Sequence, residues 1–164
     1  MKRWIAIAVL LLVVGAVVHH CYLRPEAKVE AAVVAAITAI ENEDRDAVKA
    51  FFHPQFQDLL GLGAEEWMML LDYSRERYKQ VDIKLIQPDV EVDGEKATFR
   101  CHVRVDATVA ETISKQGPPS RPTAYRQNVE LTLAKDGSTW RLVGIGDVTA
   151  AEWGIPVDRI LGGK

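Results

Sequence analysis

Cysteine is scarce in this sequence, and the spacing typical of a metal site is absent from it. Cys21 and Cys101 are the two cysteines among 164 residues, which excludes a disulfide framework. Cys101 alternates with apolar neighbours, so we expect it to pack as a small hydrophobic residue. His19 and His20 end an apolar run, and no set of Cys, His and Asp residues is spaced like metal ligands. We therefore predict no metal ion and no cofactor.

The chain also lacks the excess of basic residues that nucleic-acid binding needs. Its lysines and arginines number 20 against 23 aspartates and glutamates, and its formal net charge is −3. Lys2 and Arg3 precede every other charge, so the rest of the chain is more acidic still. Because phosphate contacts require a dense Lys/Arg face, we predict that nucleic acid is not a partner.

Long hydrophobic runs are missing except for one at the N-terminus. The basic Lys2 and Arg3 precede an uncharged run from Trp4 to Leu23, which matches the roughly 20 residues that cross a bilayer as a helix. The basic start predicts a single-pass anchor in the cell membrane, with the rest of the chain outside the cytosol. The alternative is a signal peptide, with 5–14 as its apolar region, and a secreted or periplasmic product after cleavage.

Three helices are predicted after this segment. Arg24-Pro25 opens the first, Asp44 caps the second, and Pro54 ends the second. The third runs from about Ala64 to Tyr78. Apolar residues recur at helical spacing in all three: Val29, Val33, Ile37 and Ile40, then Val48, Phe51 and Phe52, then Trp67, Met68, Leu71 and Tyr78.

From Val81 the period of the pattern changes to two, which predicts an antiparallel sheet of four strands. Pro88 interrupts the first strand, Asp93-Gly94 turns into the second, and 135–137 turns into the last. A proline-rich loop, 117–122, precedes the third. One face of the second strand is apolar and the other polar: Ala97, Phe99, Cys101, Val103 and Val105 against Thr98, Arg100, His102, Arg104 and Asp106.

The order of these elements resembles the nuclear transport factor 2-like, or SnoaL-like, superfamily. The resemblance covers roughly Glu26 to Val148 and includes the short helix ending in FFHPQF (51–56) and the closing strand GSTWRLV (137–143). It implies an α+β fold, a cone-shaped curved antiparallel sheet wrapped around about three N-terminal helices and an apolar pocket. We accordingly divide the chain into a transmembrane or signal helix (1–23), this domain (24–149) and a C-terminal extension (150–164).

The resemblance implies two classes of function. Enzymes of the superfamily are isomerases, dehydratases or cyclases that place an acid or a base inside the cone. Here the inward positions are almost all apolar, and the remaining candidates are Tyr125, Asp72 and His53. None pairs with another at a recognisable spacing, and each has an ordinary structural explanation: a tyrosine at the rim, a solvated helix charge and a histidine at a helix end. We therefore predict no catalytic residue.

Other members of the superfamily bind ligands or assemble with proteins, some of them as membrane-anchored parts of secretion systems. For a small apolar ligand, the predicted pocket residues are Trp67, Phe99 and Tyr125. For a homodimer or an envelope protein, the predicted surface is the polar sheet face of Arg100, His102, Arg104, Arg126 and Arg141. The alternative for that face is solvated charge balanced by Asp106 and Glu130.

We thus expect a membrane-tethered or exported domain that assembles with protein or binds a small apolar ligand without catalysis. The alternative is an isomerase, dehydratase or cyclase acting on a hydrophobic small molecule.

Overall fold

The computed structural model describes residues 24–109, 123–146 and 162, and these residues form the predicted α+β domain. Among them, no helix is both long and apolar enough to cross a bilayer. The predicted N-terminal segment lies outside the described residues, and so does the predicted C-terminal extension apart from Gly162. In chain order the elements are α1 (Pro25–Glu41), α2 (Arg45–Phe51), α3 (Ala64–Arg77), β1 (Tyr78–Asp93), β2 (Lys96–Val109), β3 (Thr123–Asp136) and β4 (Thr139–Gly146).

The helices begin where the local chemistry favours a helix start. Pro25 occupies the first turn of α1, where its fixed φ suits the helix and its missing N–H costs nothing. The carboxylate of Asp44 accepts a hydrogen bond from the Ala47 N–H at 3.0 Å and caps α2, as predicted. The Gly63 N–H donates to the Glu66 carboxylate at 3.1 Å in the first turn of α3.

The sheet is a four-stranded antiparallel meander in the order β1-β2-β3-β4. β1 begins at Tyr78, directly after α3 and three residues before the predicted start. Pro88 does not end the strand: the register shifts between Ile86 and Asp89, and Gln87 takes a φ of 53° within this bulge. A second shift follows Lys79. Because bulges bend the strand that carries them, they help β1 follow the curve of the sheet.

The core lies between the concave face of this sheet and the three helices. The predicted alternation of β2 is confirmed, since Phe99 and Cys101 are buried whereas Arg100 and His102 are exposed. In α3 the predicted Met68 is fully buried, and so is Leu70, whereas the predicted Leu71 is only half-buried. The core forms two clusters of buried residues: Val29, Val33, Ala97, Phe99, Cys101, Val103, Val129, Leu133 and Trp140, and then Ala39, Val48, Phe52, Phe56, Trp67, Met68, Leu70 and Leu142.

Segments outside the sheet bind to both of its edge strands. On β4, the Leu142 carbonyl accepts a hydrogen bond from the His53 N–H at 2.8 Å, and the Val143 carbonyl accepts one from the Gln57 N–H at 3.1 Å. On β1, the Ile83 N–H donates to the Glu41 carboxylate at 2.8 Å. These contacts satisfy backbone groups at which another chain would otherwise pair.

Truncating Phe99 to alanine is expected to lower the free energy of unfolding by about 3–5 kcal/mol, because the ring is fully buried and its removal leaves a cavity. Ile86→Ala is the matched control on the opposite face of the sheet, where the side chain is 39% exposed, and it should change stability by about 0.5 kcal/mol or less. Urea unfolding followed by tryptophan fluorescence measures both. Equal losses would show that the concave face does not carry the core.

Cys101 should be unreactive in the folded chain. Burial raises the pKa of its thiol from 9.0 to about 11, and the thiolate is the reactive form. In a Cys21→Ser chain at roughly pH 8, we expect slow labelling by an aromatic disulfide reagent and complete labelling in urea. Since the unfolded thiol ionises first, the stability that the protonated thiol contributes should fall as pH rises from 9.0 to about 11. Rapid labelling of the folded chain would contradict this assignment.

Candidate functional site

His53 lies in the turn that binds the edge of β4. Its N–H donates to the Leu142 carbonyl, and its Nδ1 accepts a hydrogen bond from the Gln55 N–H at 3.1 Å. Its carbonyl accepts from the Phe56 N–H at 2.9 Å. The histidine is thus tied into a tight turn by its backbone and by one nitrogen of its ring.

Asp72 lies on α3 in an exposed ion pair. Its carboxylate accepts a hydrogen bond from Arg45 of α2, and its other oxygen is 3.8 Å from Nη1 of Arg75. The side chain is 41% exposed. Such an exposed carboxylate paired with arginines is an ordinary surface ion pair.

Tyr125 is the third predicted acid or base. Its backbone pairs with that of Val105 on β2, two positions from Gln127. The side chains of Tyr125 and of Arg126 lie outside the described part of the structure. The three candidates thus lie on different elements: His53 in the β4 edge turn, Asp72 on α3 and Tyr125 on β3. In the described ranges, no hydrogen bond or ion pair joins His53 to Asp72.

A buried carboxylate that the sequence pattern did not reveal holds the loop before α3. Asp58 is 8% exposed. One oxygen accepts hydrogen bonds from the N–H groups of Leu60 and Leu62, at 2.9 and 2.8 Å, and the other accepts the indole N–H of Trp67 at 3.1 Å. The signal for this turn was Gly61, three residues on, which takes a φ of 77°. Asp58 therefore acts as the centre of a turn.

Trp67 and Phe99, two of the predicted pocket residues, lie in the core. Trp67 is fixed by Asp58 and packs edge-on against Phe56, with 6.4 Å between the ring centres. Phe99 is fully buried in the cluster between α1 and the sheet. Protein atoms enclose both rings, and their role as ligand contacts stays a prediction.

The predicted partner face of the sheet consists of arginines paired with carboxylates. Arg100 donates to Glu130 at 2.7 Å and to Glu91 at 3.0 Å, and hydrogen bonding to Glu130, then to Glu91, raises the pKa of its guanidinium. The other described members also have partners on this face: Arg104 with Asp106 at 2.9 Å, Arg141 with Asp136 at 3.3 Å, and His102 with Asn128. Each described arginine of this face is therefore paired with at least one carboxylate.

Arg75 is the group that departs from this pattern of satisfied charges. It follows the buried Met68 by seven residues and Leu71 by four, so it lies on the inner stripe of α3. Its side chain is 19% exposed, and its Nε and Nη2 are buried without a hydrogen-bond partner among the described residues. A charge that interrupts an apolar helical stripe was the available sequence signal.

A surface cleft of about 410 Å³ opens where the two hairpin turns meet the start of α1. None of the predicted site residues lines it. Its polar side chains are two lysines and a serine, with an indole as the apolar wall: the lining residues are Pro25, Lys28, Gly94, Lys135, Gly137, Ser138 and Trp140. Within residues 24–109 and 123–146, no group of three or more His, Cys, Asp or Glu residues is placed to hold a metal ion.

Solved structures match this architecture, whereas no protein-family model and no curated protein matches the sequence. A nuclear transport factor 2-like superfamily protein from Salmonella enterica serovar Typhimurium aligns over 73% of this chain and 87% of its own, with a TM-score of 0.58 and 17% identity. The domain has the nuclear transport factor 2-like fold.

Two further solved structures are similar to this domain. A scytalone dehydratase-like protein from Novosphingobium aromaticivorans aligns over 72% of this chain and 78% of its own, with a TM-score of 0.62 and 10% identity. Bd1075 from Bdellovibrio bacteriovorus aligns over 69% of this chain, with a TM-score of 0.56 and 16% identity, and the match spans only 37% of Bd1075. At these identities the likeness establishes the fold alone.

Replacing Asp58 by alanine is expected to lower the free energy of unfolding by about 3 kcal/mol, because one buried and two partly buried donors lose their acceptor. Asp58→Asn keeps one acceptor oxygen and should cost less. Asp93→Ala, at an exposed position of β1, is the control and should change stability by about 0.5 kcal/mol or less. Thermal and urea unfolding measure all three. A neutral Asp58→Ala variant would show that the carboxylate does not hold this loop.

Proposed function

We propose that this chain is a membrane-tethered, non-enzymatic binding domain that works outside the cytosol and takes up a small, largely apolar molecule on the inner side of α3. The observation that carries this proposal is Arg75, a cation on an inner helix stripe with buried N–H groups that have no partner within the described ranges. The nuclear transport factor 2-like fold supports the proposal, because its curved sheet has a concave side on which a ligand can be enclosed.

A buried donor without an acceptor is costly, which makes Arg75 informative. Leaving one such group unpaired costs about 1–3 kcal/mol, and more when the group is charged. Elsewhere in the described chain, buried polar groups have partners, as Asp58 does with three donors. A group that violates this rule in a native protein calls for a specific explanation, and a ligand that supplies the missing acceptor is one.

The described candidates for catalysis support the non-enzymatic part of the proposal. General acid–base catalysis needs a group that exchanges a proton within hydrogen-bond reach of the substrate. His53 is built into the β4 edge turn, Asp72 is paired with Arg45, and both oxygens of Asp58 accept hydrogen bonds from the protein. No hydrogen bond joins any two of these three side chains in the described structure.

The N-terminal sequence supports the tether. The run from Trp4 to Leu23 carries no charge and follows Lys2 and Arg3. A helix of that length covers the hydrocarbon core of a bilayer, and the basic flank favours the cytosolic side. The folded domain begins one residue later, at Arg24-Pro25, so the tether would hold it close to the membrane surface.

An enzyme is the second candidate, because Asp72 lies 3.8 Å from the same Arg75 and the fold also occurs in a scytalone dehydratase-like protein. In that case Asp72 would transfer the proton to or from a hydrophobic substrate. Asp72→Asn would then abolish turnover, whereas a binding domain would retain its ligand.

Native mass spectrometry of the full-length chain, released from detergent micelles, tests the binding proposal. We expect a bound small molecule that is present in the native spectrum and lost after acid denaturation, because the buried Nε and Nη2 groups of Arg75 should not remain without an acceptor. Spectra of the detergent alone identify detergent adducts. A bare monomer or dimer in several preparations would contradict ligand binding and favour a domain for protein assembly.

A further inference from the structure

We infer that the ligand carries a carboxylate, and that the side edge of the Arg75 guanidinium binds it through two parallel hydrogen bonds. This inference rests on the proposed binding function and adds the chemical class of the ligand. The acceptor would occupy a position against the inner stripe of α3, where the protein itself provides no partner in its described part.

The two atoms of Arg75 that lack a partner determine how an acceptor would bind to the guanidinium. A guanidinium has two forked edges, and Nε–H with one N–H of Nη2 forms the edge along its side. In Arg75 these two nitrogens are the buried pair without partners, whereas Nη1 faces Asp72 at 3.8 Å. The vacant donors therefore form one complete fork. Two parallel donors at fixed spacing match the two oxygens of a carboxylate, which is the bidentate pairing that arginine favours.

The charges around Arg75 would be balanced by one bound anion. Asp72 is the neighbouring carboxylate, but it also accepts a hydrogen bond from Arg45, so one negative charge is shared between two guanidinium groups. The next arginine along the helix, Arg77, donates to the Tyr73 hydroxyl and lies over the Tyr73 ring at 5.2 Å. A bound monoanion would therefore neutralise the charge that Asp72 leaves uncompensated.

The neighbours of Arg75 on its helix stripe indicate what the rest of the ligand is. Met68 is fully buried and Leu71 half-buried on the same stripe, so apolar side chains precede Arg75 on α3, with Asp72 as the charged neighbour on the Nη1 side. A small molecule with one carboxylate and an apolar body satisfies both features, since its charge meets the fork and its body stays out of water. A highly charged ligand such as a nucleotide would place further charges against apolar side chains.

The experiment uses the full-length chain with two probes that differ in one group, 3-phenylpropionate and 3-phenylpropanol. The Arg75 Nε–H resonance is assigned by its loss from the nitrogen–proton spectrum of an Arg75→Met chain. We expect 3-phenylpropionate to shift this resonance and 3-phenylpropanol to leave it in place. We also expect carboxylate binding to weaken by about tenfold or more in Arg75→Met, since hydrogen bonds to charged groups are stronger than neutral ones.

Two variants separate binding from folding. Arg75→Met should be as stable as the parent chain or more stable, because it replaces a buried, partly paired charge by an apolar side chain of similar length. Arg77→Met, two residues along α3, is the matched control and should bind 3-phenylpropionate as the parent does.

Each remaining outcome overturns a different statement. If both probes bind the parent chain and Arg75→Met equally well, the inner site exists and the carboxylate inference is wrong. If inorganic phosphate shifts the Arg75 resonance and carboxylates do not, the fork binds an oxyanion of another class and the inference is again wrong. If neither probe nor phosphate moves the resonance and no adduct is seen by mass spectrometry, the binding function is wrong as well.

Discussion

Burial of one face of a curved four-stranded sheet is the constraint on which the rest of this domain depends. The concave face is mostly apolar, with Phe99 and Leu133 at its centre. At about 25 cal/mol for each Å² of apolar surface removed from water, such a face must be covered by something. α1 covers it at the hairpin end, and α2 with the first half of α3 covers the β4 side. The bulges of β1 and the turn along the β4 edge follow from fitting a sheet around these helices.

The parts of this fold that were predicted correctly are those set by neighbours in sequence. The alternation of apolar and polar residues from Ala97 to Val103 shows directly which face of β2 is buried. Asp44 caps α2 through the N–H of a residue three positions later. The start of β1 was misplaced because α3 runs into the strand at Tyr78 with no turn residue between them. The interruption predicted at Pro88 corresponds to the register shift between Ile86 and Asp89, a bulge past which the strand continues although proline has no N–H to donate.

The candidate site was less predictable, because its two informative residues are distinguished by their burial. Asp58 and Arg75 are charged residues whose burial depends on packing that no local pattern records. The candidates named from the sequence were residue types that often perform catalysis, and the structure describes His53 and Asp72 in ordinary structural contacts. The detectable signal for Arg75 was a charged residue on a helical stripe of apolar residues. This signal indicates a buried charge only once the stripe is known to face inward.

The contrast among the charges of this domain shows where a ligand matters most. The ion pairs on the sheet face are at least partly exposed, and such pairs contribute about 0–1 kcal/mol each. A protein partner at that face would exchange one set of paired charges for another, with little net change. Arg75 differs because its free donors are buried and have no acceptor in the described structure, so water does not readily replace a missing partner. A carboxylate bound there would remove the free-energy cost of these unpaired donors. The sheet face offers no comparable gain, which favours the inner side of α3 as the functional surface.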